Sequence, residues 1–203
     1  MADTLLWVLA GMAVYTVVLM MLRARGHLPS SVRVSGPIVT VHTKRGRALL
    51  NWLAGPKRFW RAYGNFGVGI ALVVMVGSLV LFVVSAYFSL QQPQPSALTE
   101  PQNVLAIPGV NQFLPLSMAA EIVAGLVLGL IVHEGGHGLM CRVEDIDIES
   151  MGLAFLAMIP MGAFVEPDEQ SREEASRGGQ TRMFTAGVMN NFVLALLALV
   201  LLF

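Results

Sequence analysis

The chain has 203 residues, of which 55% are hydrophobic and only 13% are charged, whereas about 25% are charged in an ordinary soluble domain. Its 13 Lys and Arg residues are balanced by 13 Asp and Glu residues, so it lacks the basic excess of a nucleic-acid-binding protein. A soluble globule and a nucleic-acid partner are therefore excluded, and a membrane protein is expected. The single cysteine, Cys141, also excludes an intrachain disulfide.

Four apolar runs, three of them free of charged residues, are long enough to cross a bilayer, whose apolar core of about 30 Å requires roughly 20 helical residues. We predict spans at residues 4–22, 66–89, 118–141 and 183–203, and therefore a multi-pass protein of the cell membrane. Residues 1–22 read as a retained transmembrane anchor, because the cationic residues follow the apolar run and no small-residue cleavage site is present.

The distribution of Lys and Arg predicts the orientation of these spans. Nine of the 13 cations lie between the first two spans, whereas residues 90–117 contain none. Because cytoplasmic loops carry the excess of Lys and Arg, residues 23–64 are predicted to be a basic cytoplasmic loop. Residues 65–203 then form the membrane core.

Two segments carry signals for structure other than spanning helices. Residues 32–41 alternate β-branched residues, which indicates a small strand-containing element, although a solvated basic loop beside anionic lipid headgroups is the interpretation we favour. Residues 151–165 are uncharged but are interrupted by Gly152, Pro160 and Gly162, so they are too short and too broken to span. We expect a re-entrant hairpin lining a site, with an interfacial helix or loop as the alternative.

The third span contains the motif that carries chemistry, His133-Glu134-x-x-His137. On a helix the two histidines lie one turn apart on the same face, where two imidazoles can share one Zn²⁺. Glu134 lies about 100° round the helix, within reach of a water that such an ion would activate. Ionisable residues at bilayer depth are also costly, which favours a functional explanation over a structural pair of histidines.

A catalytic zinc usually takes three protein ligands and one water, and this helix supplies only two. Cys141 follows His133 by eight residues, a rise of about 12 Å, which is too far for the three side chains to converge. Glu166 and Asp168 follow the hairpin and could reach back, but a flexible acidic loop is the more ordinary explanation for them.

With these motifs the chain resembles the site-2 protease family of intramembrane zinc metalloproteases, and its archaeal members most closely. The resemblance covers most of the chain. It rests on residues 108–111 and 114–116 before the third span, on residues 132–138 around the histidines, on residues 162–166, and on Ala186-Gly187-x-x-x-Asn191-Phe192.

The resemblance implies hydrolysis of peptide bonds within or beside a substrate's transmembrane helix. By that analogy His133 and His137 bind one Zn²⁺, Glu134 is the general base, and Asn191 holds the substrate or the developing oxyanion. The family's third ligand is an aspartate in an Asp-Gly motif on a later helix, and these 203 residues contain no such motif. We therefore expect either the N-terminal part of a longer protease or an inactive relative.

Together these observations predict an all-α polytopic membrane protein with about four transmembrane helices and a small strand-containing or re-entrant hairpin near the active site. The expected function is that of an intramembrane zinc metalloprotease, whose partners are a transmembrane protein substrate and membrane lipid. A pseudoprotease that binds membrane segments without cutting them is the alternative. A metal transporter is disfavoured because spans one, two and four carry few polar residues.

Overall fold

The computed structural model describes residues 2–43, 46–91, 100, 103, 107–156 and 159–203. Within these residues the chain is mostly helical and contains one small sheet. The helices are α1 (Ala2–Ala24), α2 (Gly46–Leu53), α3 (Lys57–Gln91), α4 (Ala119–Val143, preceded by the 3-10 turn Leu116–Met118), α5 (Glu169–Glu174) and α6 (Arg177–Leu202). The strands are β1 (Val32–Ser35), β2 (Ile38–Thr43), β3 (Ile148–Leu156) and β4 (Ile159–Pro167).

Among the described residues, three helices are long and apolar enough to cross a membrane: α3, the Leu116–Val143 segment containing α4, and α6. Most of their apolar side chains are exposed, as expected where lipid rather than protein is the solvent. The predicted mostly helical architecture is confirmed, and three of the helices are candidate membrane spans by length and composition. In α1 the apolar part, Ala10–Ala24, is shorter, so a fourth span remains a prediction.

The four strands form one antiparallel sheet in the order β1-β2-β3-β4. Residues 32–41, for which we favour a loop, lie instead in the β1–β2 hairpin, and helix α2 also lies within residues 23–64. The position of this segment beside lipid headgroups stays a prediction. The β-branched alternation there was a strand signal. The hairpin predicted at residues 151–165 is present as β3–β4, with longer strands, and the alternative of an interfacial helix is wrong. Residues 157 and 158 lie outside the described part.

One glycine allows β2 to lie close to β3. A Cβ at Gly152 would collide with the carbonyl oxygen of Val41 on β2, so no other residue fits this register without displacing the strand. The ring of His42 crosses this gap and packs edge-on against Phe164 of β4, with 5.0 Å between ring centroids. The first loop is thereby tied to the hairpin that follows α4.

The buried core lies at the predicted cytoplasmic end of the helices. Its most deeply buried side chains come from the end of α4, the residues just after it and the start of α6: Met140, Cys141, Val143, Ile146 and Met183. Leu50 of α2 packs against the same cluster. This core supports the part of α4 that carries His133, Glu134 and His137.

An ion-pair cluster closes the same end. Glu144, which caps α4, has a side chain only 5% exposed and accepts two hydrogen bonds from the Arg182 guanidinium, at 2.9 and 3.0 Å. Arg61 of α3 reaches the same carboxylate at 3.3 Å. Burial alone would raise the pKa of Glu144, but the hydrogen bond and charge of Arg182, together with Arg61, hold it below its ordinary value. This cluster joins α3, α4 and α6.

Candidate active site

His133 and His137 lie one turn apart on α4, and their rings meet edge to face with 4.8 Å between centroids. Both rings are half-buried and lie against α6. The spacing that predicted a shared face is thus the spacing observed between the two side chains. Whether the two imidazoles can bind one ion depends on which residue of α6 lies against them.

The residue of α6 that lies against both imidazoles is Gly187. A Cβ built there would lie 2.5 Å from His133 Nε2 and 2.6 Å from His137 Nε2, so a methyl group would occupy the space that both imidazoles face. The two Nε2 atoms therefore converge on one small space, which is left open by the absence of a side chain. A pair of converging imidazole nitrogens is part of the donor set that zinc prefers.

The tautomer of His137 leaves its Nε2 available for a metal. Its Nδ1 lies 2.7 Å from the carbonyl oxygen of Met183 on α6. Because a carbonyl only accepts hydrogen bonds, Nδ1 must carry the proton, and in the neutral ring Nε2 then has a free lone pair. Metal-binding histidines usually donate their other ring N–H in this way, which fixes the ring orientation.

Asn191 makes the corresponding contact with His133. Its Nδ2 lies 3.2 Å from His133 Nδ1, while its own Oδ1 is buried without a hydrogen-bond partner. Rotating the amide by 180° exchanges the two atoms, so that His133 Nδ1–H donates to Oδ1 and Nδ2 takes the buried position that has no partner. His133 Nε2 then also carries a free lone pair, and the pair fits the zinc-binding role.

Glu134 faces the sheet rather than α6. Its Oε2 accepts a hydrogen bond of 3.0 Å from the backbone N–H of Val165 on β4. Strand β4 lies at one edge of the sheet, and this N–H donates to the carboxylate rather than to a further strand. Gly162 lets the strand approach the helix, because a Cβ there would lie 2.7 Å from the Leu130 side chain, whereas a Cβ at Gly138 would lie 2.8 Å from Leu50 of α2. The carboxylate is therefore held beside both the histidines and a strand edge.

A cavity of about 780 Å³ adjoins these groups. It is lined by His133, Glu134 and Asn191, by residues of β3 and β4 including Leu153 and Ala163, and by α4 back to Val123. The sequence suggests Gly125 and Gly129 as a face for close helix packing. In the described structure a Cβ on either would meet nothing within 4 Å, and both line the cavity instead.

The two glycines between the histidines have different surroundings. A Cβ at Gly136 would lie 2.7 Å from Asn190 Nδ2 and 2.8 Å from the carbonyl oxygen of Ala186, so this glycine permits close packing of α4 on α6. At Gly135 a Cβ would meet nothing within 4 Å. Two glycines inside a helix indicate a space requirement at both positions, such as room for a substrate. At Gly136 the structure shows helix packing instead.

Comparison with known proteins identifies the segment that carries this geometry. Residues 121–203 match peptidase family M50. The expected resemblance to the site-2 protease family is thereby confirmed for this segment, which contains α4, the β3–β4 hairpin and α6. Family M50 comprises membrane-embedded metalloproteases that are generally zinc-dependent.

A relative in Methanocaldococcus jannaschii supports an archaeal affinity. The uncharacterized protein MJ0971 of that organism is 24% identical over 162 residues, which cover 80% of this chain and 42% of the relative. The chain therefore spans about two fifths of the length of this relative. No solved structure matches the chain.

The other candidate ligands are Cys141, Glu166 and Asp168, and all three lie apart from His133 and His137. Cys141 is fully buried in the core. Glu166 accepts a hydrogen bond of 2.6 Å from Ser150, and Asp168 caps α5 by accepting from the Ser171 N–H, which lowers its pKa. Among the residues that the structure describes, no group of three or more His, Cys, Asp or Glu side chains is placed to hold a metal ion.

The sequence does not indicate two residues that lie near His133 and His137. The resemblance does not single out Asn190, yet its amide donates to the carbonyl oxygen of Val132 at 3.1 Å and accepts from Tyr63 at 2.7 Å. An amide in a spanning helix needs a partner, and this reasoning could have been applied to Asn190 as well as to Asn191. Tyr63 carries no comparable signal in the sequence.

Proposed function

We propose that the chain is the histidine-bearing part of an intramembrane zinc metalloprotease of the site-2 protease type, in a multi-pass protein of the cell membrane. The observation that carries the proposal is the convergence of His133 Nε2 and His137 Nε2 on the space above Gly187, with Glu134 on the same helix. The match of this segment to family M50 supports it.

In this proposal His133 and His137 hold one zinc ion, and a third ligand comes from residues outside the described set. When bound, zinc supplies Lewis-acid chemistry that brings the pKa of a water to about 7. Glu134 takes the proton from the water as the water attacks the substrate carbonyl carbon, and later delivers a proton to the leaving amine. Asn191 and the Met183 carbonyl keep the imidazoles oriented.

The proposed substrate is a transmembrane segment that enters the cavity in extended form. Helical carbonyls are shielded by their own hydrogen bonds, so the scissile region must unwind first. The outer edge of β4 can then add the unwound segment as a further strand, with main-chain hydrogen bonds providing affinity. The apolar lining of the cavity, including Leu126, Leu130 and Phe155, suits a segment taken from lipid.

The test separates the base from the ligands in the full-length protein. Glu134→Gln is expected to abolish cleavage of a transmembrane substrate while retaining zinc, because it removes a proton acceptor and leaves both imidazoles. His137→Ala is expected to lose both zinc and cleavage. Bound zinc is measured by metal analysis of the purified protein, with Gln112→Ala on the predicted outer loop as a control. A folded Glu134→Gln variant without zinc would contradict the assigned roles.

The pseudoprotease alternative rests on one observation, that no third metal ligand joins the histidines among the described residues. It predicts binding of membrane segments that does not depend on zinc or on Glu134. Capture of a transmembrane peptide by the full-length protein, unchanged by a chelator and never followed by cleavage, would favour it over the protease.

A further inference from the structure

A chain of hydrogen bonds crosses three helices beside the candidate site. Tyr63 of α3 donates its hydroxyl to Asn190 Oδ1 on α6 at 2.7 Å, and Asn190 Nδ2 donates to the carbonyl oxygen of Val132 on α4 at 3.1 Å. Both ends of the amide are used, so the side chain of Asn190 has one defined orientation. The ring of Tyr63 is itself fixed edge-on to Trp60, with centroids 5.5 Å apart.

This series of hydrogen bonds ends at residues that hold the histidines in place. Val132 immediately precedes His133, while Asn190 immediately precedes Asn191 and follows Gly187 by three residues. Any shift of α6 along α4 that broke the Asn190–Val132 contact would also move Gly187 relative to both imidazoles. The distances that make the Nε2 atoms converge therefore depend on the relative placement of these two helices.

Glycines make room for this contact on both sides. A Cβ at Gly136 would lie 2.7 Å from Asn190 Nδ2, and a Cβ at Gly67 would lie 2.9 Å from Met189 Cβ. Backbones this close are typical of helix association in membranes, where small residues permit the approach and interhelical hydrogen bonds add to it. The hydrogen bonds and the glycines thus act between the same three helices, Gly67 where α3 meets α6 and Gly136 where α4 meets α6.

We infer that Tyr63 and Asn190 are positioning residues, which set the placement of α6 against α4 and so the convergence of the two imidazoles. This inference rests on the proposed function, since it assigns the chain a role in zinc binding. Neither side chain touches the reacting atoms in this assignment. Tyr63 acts through Asn190, and Asn190 acts through the backbone before His133.

Removing one oxygen atom tests the inference. Tyr63→Phe keeps the ring and its contact with Trp60 but deletes the hydrogen bond to Asn190. In the full-length protein it is expected to weaken zinc binding by roughly threefold to twentyfold, the range measured for single interhelical hydrogen bonds in membranes. Tyr87→Phe is the matched control, because Tyr87 lies on the same helix with 59% of its surface exposed.

Zinc affinity is measured by competition with a chelator at a temperature well below thermal unfolding, and unfolding of the metal-free protein is recorded separately. A merely structural role would lower the unfolding temperature without changing the affinity of the folded protein. In the double variant Tyr63→Phe/Asn190→Ala, zinc should bind no more weakly than in Asn190→Ala alone, because Tyr63 acts only through Asn190.

Equal zinc affinity of Tyr63→Phe and Tyr87→Phe would overturn the inference and leave the proposed function standing. Additive losses in the double variant would also overturn it, since they would show that Tyr63 acts independently of Asn190. Failure of the unaltered full-length protein to bind zinc through His133 and His137 would remove both the proposed function and this inference.

Discussion

Gly187 lies where helix α6 faces the two imidazoles, and its lack of a side chain is as much part of the candidate site as the histidines themselves. The sequence indicates only that this glycine permits close approach of another backbone. In the structure it is the side chains of His133 and His137 that approach it. Gly187 therefore limits the space available to a metal ion and to the ligands that hold it.

We predict that Gly187→Ala abolishes cleavage and lowers zinc affinity by about tenfold or more. The added methyl group would lie 2.5–2.6 Å from both Nε2 atoms, so at least one imidazole must rotate away. Overpacking of this kind also costs about 1 to 3 kcal/mol of stability. The control is Gly69→Ala, since a Cβ at Gly69 meets nothing within 4 Å. Unchanged zinc affinity of the Gly187→Ala variant would contradict the assigned geometry.

Helix α6 is held at its predicted cytoplasmic end by Arg182, which joins the carboxylate that caps α4 and also donates to Asn65 of α3 at 3.0 Å. Breaking a largely buried pair by removing one partner costs about 3 to 5 kcal/mol, far more than an exposed pair is worth. The Lys57–Asp145 pair nearby is exposed, with side chains 41% and 72% accessible, and serves as a natural comparison. Comparing the stability lost with each pair distinguishes the effect of burial from the effect of charge alone.

The depressed pKa of Glu144 gives a prediction for pH. A carboxylate whose pKa is lower folded than unfolded stabilises the fold above its unfolded pKa, near 4.3, and loses that contribution as pH falls through its folded pKa. We expect the thermal unfolding temperature to fall below about pH 4 in the unaltered protein. Part of this fall should be absent in Glu144→Gln, which is already less stable at pH 7.

Asp145→Asn is the control for this measurement, because it removes the exposed pair next to Glu144. It should change the unfolding temperature at pH 7 little and leave the acid-induced fall intact. If Glu144→Gln and Asp145→Asn destabilised the protein equally at pH 7, the ion-pair cluster would not be what holds α6 against α4.

For the whole molecule, the sequence predicts the elements better than their association. The long apolar runs and His133-Glu134-x-x-His137 have local signatures, so the three candidate spanning helices and the face shared by the histidines can be predicted without a structure. The pairing of Val41 with Leu153 and the bond from Tyr63 to Asn190 join residues distant in sequence. Such contacts depend on how helices pack, which no local pattern records.

The orientation in the membrane remains a prediction from charge. We expect Ser31→Cys to be protected from an impermeant thiol reagent in intact cells and Gln112→Cys to be labelled, because the cationic residues keep the first loop inside. The native Cys141 is buried and should give no background. Protection should be lost when the membrane is permeabilised. Labelling of Ser31→Cys and protection of Gln112→Cys in intact cells would reverse the assignment.

The sheet imposes an order on the biogenesis of the protein. Strand β2 pairs with β3 through Thr43 and Met151, positions separated by more than a hundred residues that include α3 and α4. At synthesis rates of about 5 to 20 residues per second, the β1–β2 hairpin leaves the ribosome several seconds before its partner strand exists. An isolated hairpin is marginally stable at best, so it must wait with an unpaired edge until α3 and α4 have been inserted. The sheet whose β4 edge lies beside Glu134 is therefore completed only after α3 and α4 have been synthesised, so the candidate site forms late in the biogenesis of the protein.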